Sequence, residues 1–109
     1  MGDAGARLTD AATQTAAALT SKFGGVAGEV TARKMFGGYG IFGDGVMFAL
    51  VDSQGAAFLR LGTDTEAAFT ERHSRMPYGR VPDEIMADQP TLMTWARRAL
   101  TAAAAAKRT

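Results

Sequence analysis

In 109 residues there is no cysteine, one histidine, one tryptophan and only three prolines. Without cysteine there can be no disulfide, no thiolate metal site and no thiol nucleophile. A single histidine, His73, leaves any transition-metal site poor in ligands. Charge of one sign is not in excess: 12 Lys and Arg against 11 Asp and Glu give a net +1. No broad field gathers a polyanion, so nucleic-acid binding would have to rest on a local patch. No apolar run approaches the roughly 20 residues of a membrane-spanning helix. The start, Met1-Gly2-Asp3-Ala4-Gly5, has no basic segment and leads into no signal-peptide core. The expectation is a cytoplasmic protein without a membrane partner.

Catalytic constellations are missing too. Asp44, Asp52, Asp64, Asp83, Glu84 and Asp88 all fall at turns or helix starts, where turn chemistry and helix electrostatics account for them. None has the spacing of a calcium loop or of a hydrolytic pair. Ser21, Ser53 and Ser74 lack the nucleophile-elbow pattern. The sequence therefore predicts a protein that is not an enzyme and holds no metal or cofactor.

What is present is the composition of an ordinary globular protein, 47% hydrophobic and 21% charged. The length suits one domain over residues 1–109, with a core from about 8 to 100 and a helical tail from about 101 to 109. Leu8, Ala12, Thr15, Ala16, Leu19 and Phe23 recur at spacings of three and four and predict a helix over residues 3–23, stopped by Gly24-Gly25. Leu92, Trp95, Ala96, Ala99, Leu100 and Ala103 predict a last helix from Asp88-Gln89-Pro90 to about Lys107, with Trp95 as its main packing residue. Thr63-Asp64-Thr65-Glu66 has the form of a capping box and opens a short helix to about Arg72, anchored by Phe69.

Between the first helix and that capping box the pattern is that of strands. Glu29 to Phe36 puts Val30, Ala32 and Phe36 on one face and Thr31, Arg33 and Met35 on the other. Lys34 then falls on the apolar side, which a bulge or snorkelling of its stem would resolve. Gly38-Tyr39-Gly40-Ile41-Phe42-Gly43 spells the dinucleotide fingerprint, but it runs into Asp44-Gly45 and a β-rich segment instead of a helix, so it reads as a hairpin. In Val46 to Val51, strict alternation turns Val46, Phe48 and Leu50 one way and Met47, Ala49 and Val51 the other. Ala56 to Leu61 continues the meander, and one or two short strands are expected within residues 73–81, at a sheet edge where Pro77 is tolerated. Both faces of the sheet centre are apolar, which predicts a homodimer or a protein partner on the sheet face.

Arg33-Lys34-Met35-Phe36-Gly37-Gly38-Tyr39-Gly40, Gly45-Val46-Met47-Phe48-Ala49-Leu50, Tyr78-Gly79-Arg80-Val81-Pro82 and Trp95-Ala96-Arg97-Arg98-Ala99-Leu100 resemble the N-terminal domain of the TfoX/Sxy competence-regulator family, over about Leu8 to Leu100. The resemblance implies an α+β fold: helix, three-stranded antiparallel meander, helix, one or two short strands, helix, in a secretion-chaperone-like arrangement. It also implies a regulatory role without catalysis, family members acting as transcriptional co-regulators of DNA-uptake genes. Full-length regulators of that kind carry a second, C-terminal domain, so a stand-alone first domain is expected here. Three readings remain open. The first is a protein-interaction module that docks through the sheet face or the glycine hairpin, with Arg33, Lys34 and Tyr39 as candidates. The second is nucleic-acid binding by a basic edge of Arg72, Arg75 and Arg80 with His73 and Tyr78 beside it. The third is a small-ligand protein or enzyme with a pocket near Tyr39, Tyr78 and His73.

Overall fold

The structure, a computed structural model, describes residues 10–35, 37–62 and 77–108. Its elements are α1 (Asp10–Lys22), β1 (Val30–Met35), β2 (Gly38–Gly43), β3 (Val46–Val51), β4 (Ala57–Arg60), β5 (Tyr78–Arg80), α2 (Asp83–Met86) and α3 (Gln89–Arg108). The α+β class is as expected, with the β1–β3 meander extended by β4. The helix anticipated between Thr63 and Arg72 lies outside the described residues.

The five strands form one antiparallel sheet in chain order, β1-β2-β3-β4-β5. Asp44 and Gly45 both have positive φ, 49° and 86°, and so close β2 onto β3 through the two-residue turn whose twist matches paired strands. The same Asp44 clasps the entry to β1. Its carboxylate accepts from the Glu29 amide at 2.8 Å and the Gly28 amide at 3.2 Å, while its own amide donates to the Glu29 carbonyl at 2.8 Å.

α1 and α3 cover one face of the sheet. α1 contributes Ala12, Ala16 and Leu19, with Phe23 just beyond its end; α3 contributes Leu92, Ala96, Ala99 and Ala103. Phe23 and Phe48, both fully buried, meet with ring centroids 5.5 Å apart. The helices are tied where α1 ends and α3 begins. Lys22 Nζ donates to the Met86 carbonyl at 3.1 Å, and Gln89 Nε2 donates to the Lys22 carbonyl at 2.9 Å. Asp88 caps α3 by accepting from the Thr91 amide and hydroxyl.

Two expectations are corrected. Strict alternation fails in β3, because Ile41 pairs with Ala49 but Phe42 pairs with Met47, leaving Phe48 as an extra residue. Phe48, Ala49 and Val51 all join the helix-side core, and Met47 and Leu50 belong to the other face. No bulge occurs at Lys34, since the β1–β2 register runs unbroken from Val30–Gly43 to Met35–Gly38. Lys34 is simply exposed on an outer strand. Trp95 packs partly buried against the helix-side core, beside the completely buried Leu92.

The sheet's other face carries a smaller cluster of Leu50, Phe58 and Tyr78, with Met47 and Ala56 packed against it. Leu50, Phe58 and Tyr78 are already buried within the single chain, at 7%, 6% and 3% exposure. What this face offers outward is its margin, not its centre.

Candidate functional site

β1 pairs with β2 alone among the described strands, and Thr31, Ala32, Arg33 and Lys34 are all exposed on it. Because successive side chains alternate, Arg33 and Lys34 project to opposite faces of the sheet. Arg33 stands over the Phe42 ring, its guanidinium carbon 5.0 Å from the centroid. Such a stacked cation is held in place without losing its outward hydrogen-bonding edge. Beside it the sulfurs of Met47 and Met35 fill the space above Gly40, where an added Cβ would come within 2.8 Å and 3.0 Å of them. The resulting margin is one of cation, ring and sulfur, with adaptable side chains of the kind found at protein-binding surfaces.

A second feature lies further along the same face. Arg60, at the end of β4, pairs in register with Tyr78 on β5 and lies over its ring at 5.9 Å. Tyr78 donates its hydroxyl to the Met47 carbonyl at 3.3 Å. Burial raises the Tyr78 phenol above its ordinary value, and the positive charge and hydrogen bonding of Arg60 pull it the other way. Around this pair Phe42, Val46, Met47 and the α3 residues Ala103 and Ala106 line an open concavity of about 370 Å³. Arg60 Nε is sealed from solvent with no hydrogen-bond partner. An unsatisfied buried donor on a charged group costs about 1–3 kcal/mol or more. It calls for an explanation in a native fold.

The candidate residues do not converge. Arg33 and Lys34 are on β1 and Tyr78 and Arg80 on β5, at opposite edges of the sheet, four strand spacings or about 19 Å apart. Tyr39 is turned to the helix side, half-buried, and its hydroxyl meets Thr13 Oγ1 of α1 at 3.2 Å. It braces α1 on the sheet and shares no pocket with Tyr78. Arg80 is exposed on β5. Arg72, His73 and Arg75 lie outside the described residues.

Arg60 and Phe42 were not singled out from the sequence. A signal for Arg60 existed: in Phe58-Leu59-Arg60-Leu61 it shares a face with Phe58, and a charge on an apolar strand face is an anomaly worth marking. Phe42 gave none, since its value depends on the neighbouring strand that brings Arg33 over it. Among the described residues no group of three acidic, histidine or cysteine side chains could hold a metal, and no helix is long and apolar enough to cross a membrane.

Comparison with curated proteins gives no match. Comparison with family models matches residues 21–103 to the TfoX N-terminal domain. That span takes in β1 to β5, α2, most of α3 and every residue of the two features just described except Ala106, and the chain belongs to the TfoX N-terminal domain family.

Proposed function

We propose that this chain is a non-enzymatic protein-interaction module of a regulatory kind, which docks a protein partner through the β1 edge and the margin of the sheet beside it. The observation that carries this reading is the exposure of Thr31, Ala32, Arg33 and Lys34 on an outer strand. An outer strand offers unpaired backbone groups to an added strand, and its side chains set the choice of partner. Arg33 and Lys34 favour a partner segment bearing acidic side chains, and they also discourage pairing with a second copy of the same cationic strand. Membership of the TfoX N-terminal domain family supports a regulatory setting for such a module.

The test is recovery of the tagged chain from its native lysate with and without nuclease, followed by identification of what stays bound. A protein retained after nuclease treatment is the expected result. Loss of all bound material on nuclease treatment would overturn the reading in favour of nucleic-acid binding, whose affinity should then fall steeply with salt.

A further inference from the structure

The β1 edge is open in its backbone as well as in its side chains, and the phase of its hydrogen bonds is fixed. The Asp44 amide donates to the Glu29 carbonyl, and β1 then pairs with β2 in unbroken register from Val30–Gly43 to Met35–Gly38. In an antiparallel pair, residues that bond across the ladder alternate with residues that do not. Counted from Glu29, the N–H and C=O groups of Thr31, Arg33 and Met35 point to β2, and those of Val30, Ala32 and Lys34 point away from the sheet. Among the described residues no hydrogen bond answers the outward groups. The side chains add a second constraint. Arg33 and Lys34 are adjacent, project to opposite faces and have no carboxylate partner among the described residues. A helix, or any partner laid on one face of the sheet, reaches one of these cations. A strand that extends the sheet reaches both, because its own neighbouring residues alternate in the same way. Charge also changes sign along the edge, from the exposed Glu29 to Arg33 and Lys34.

We propose, resting on the docking reading above, that the partner enters as an antiparallel strand bonded to the backbone of Val30, Ala32 and Lys34. It carries two adjacent acidic residues, one facing Lys34 and the next facing Arg33, and a basic residue further along that faces Glu29. Antiparallel addition continues the pairing of the whole sheet and bonds slightly better per residue than parallel addition.

The probe is the blocked peptide acetyl-Glu-Glu-Val-Thr-Val-Lys-amide, titrated at millimolar concentration into the full chain while amide NMR signals are followed. Its match is acetyl-Glu-Val-Glu-Thr-Val-Lys-amide, which has the same composition but both acids on one face. The expected result is saturable shifts in which the amide protons of Val30, Ala32 and Lys34 move downfield, while those of Thr31 and Arg33, already bonded to β2, change little. The match should bind about threefold more weakly, through loss of one cross-strand ion pair. Equal affinities, no saturable shift, or shifts confined to one sheet face around Phe42 and Met47 would overturn strand addition. Downfield movement of the same amides on raising the chain concentration alone would also overturn it, by assigning the edge to a second copy. The docking reading is judged separately. If the peptide fails while lysate capture still needs Arg33 and Lys34, strand addition falls and the β1 edge stays the docking site; if the peptide binds as expected while no protein is captured, the strand site stands and the docking reading falls.

Discussion

The two faces of this sheet are built from different materials. On the helix side Phe23, Phe48, Ile41, Leu59 and Leu92 are closed against two helices with almost no exposure. On the other side lie a smaller buried cluster, two methionines over a glycine, and two arginines each resting on an aromatic ring. The first face has the density that makes a fold, where every methylene removed is felt. The second has side chains that can change rotamer, and cations whose outer edges remain usable. Dense packing is concentrated on one side, the proposed recognition would fall to the margin of the other, and a bulge at Phe48 underlies the division by turning two consecutive β3 residues toward the helices.

That division can be broken most forcefully in the core. Phe48→Ala should destabilise the chain by about 3–5 kcal/mol in urea unfolding. Phe42→Ala, the same change on the half-buried side, should cost only about 1 kcal/mol. Similar losses at the two positions would erase the contrast. The second face can then be divided by what lies above its glycines. A Cβ at Gly38 would run into the Val51 carbonyl, which is backbone, whereas one at Gly40 would press on the mobile ends of Met47 and Met35. Gly38→Ala should therefore cost about 2 kcal/mol and Gly40→Ala less than about 1 kcal/mol.

Smaller effects sharpen the contrast. Asp44→Ala removes the acceptor for two amides and leaves an alanine at positive φ, for a loss of about 1–2 kcal/mol. Tyr39→Phe gives up the exposed contact with Thr13 and should cost about 0.5 kcal/mol. Tyr78 should ionise later than a free tyrosine in a phenolate absorbance titration, because burial favours its neutral form. A folded-state pKa above the unfolded one means that the folded chain holds the proton more tightly. The stabilisation is complete below the ordinary tyrosine range and is lost as pH rises through the raised value. Removing Arg60 should move that titration higher still.

Local chemistry made much of the fold legible. The α1 stripe, the Asp44-Gly45 turn, the Asp88 start of α3 and Pro77 beside an outer strand all follow from spacing and turn preference, which act within a few residues. The resemblance carried by Arg33 to Gly40 added the family, which the match over residues 21–103 supports. The bulge was not legible, because an apolar strand with both faces covered looks the same in either register and only the partner strand reveals the extra residue. The face of Tyr39 depends on α1, far away in sequence. Arg60 carries a local signal, a charge on an apolar strand face, but its ring partner is found only once Tyr78, 18 positions later, is paired beside it. Side chains whose meaning comes from a neighbour strand or helix are the ones that sequence reading misplaces.

The most direct measurement is a paired one on a chain carrying Arg33→Glu and Lys34→Glu, compared with the unaltered chain for urea stability and for capture of nuclease-resistant protein partners. Both residues are exposed on an outer strand, so stability should fall by less than about 1 kcal/mol, the Arg33–Phe42 contact included. Capture of the partner should be lost. Partner capture that persists unchanged in the folded double variant would contradict the assignment of recognition to the β1 edge.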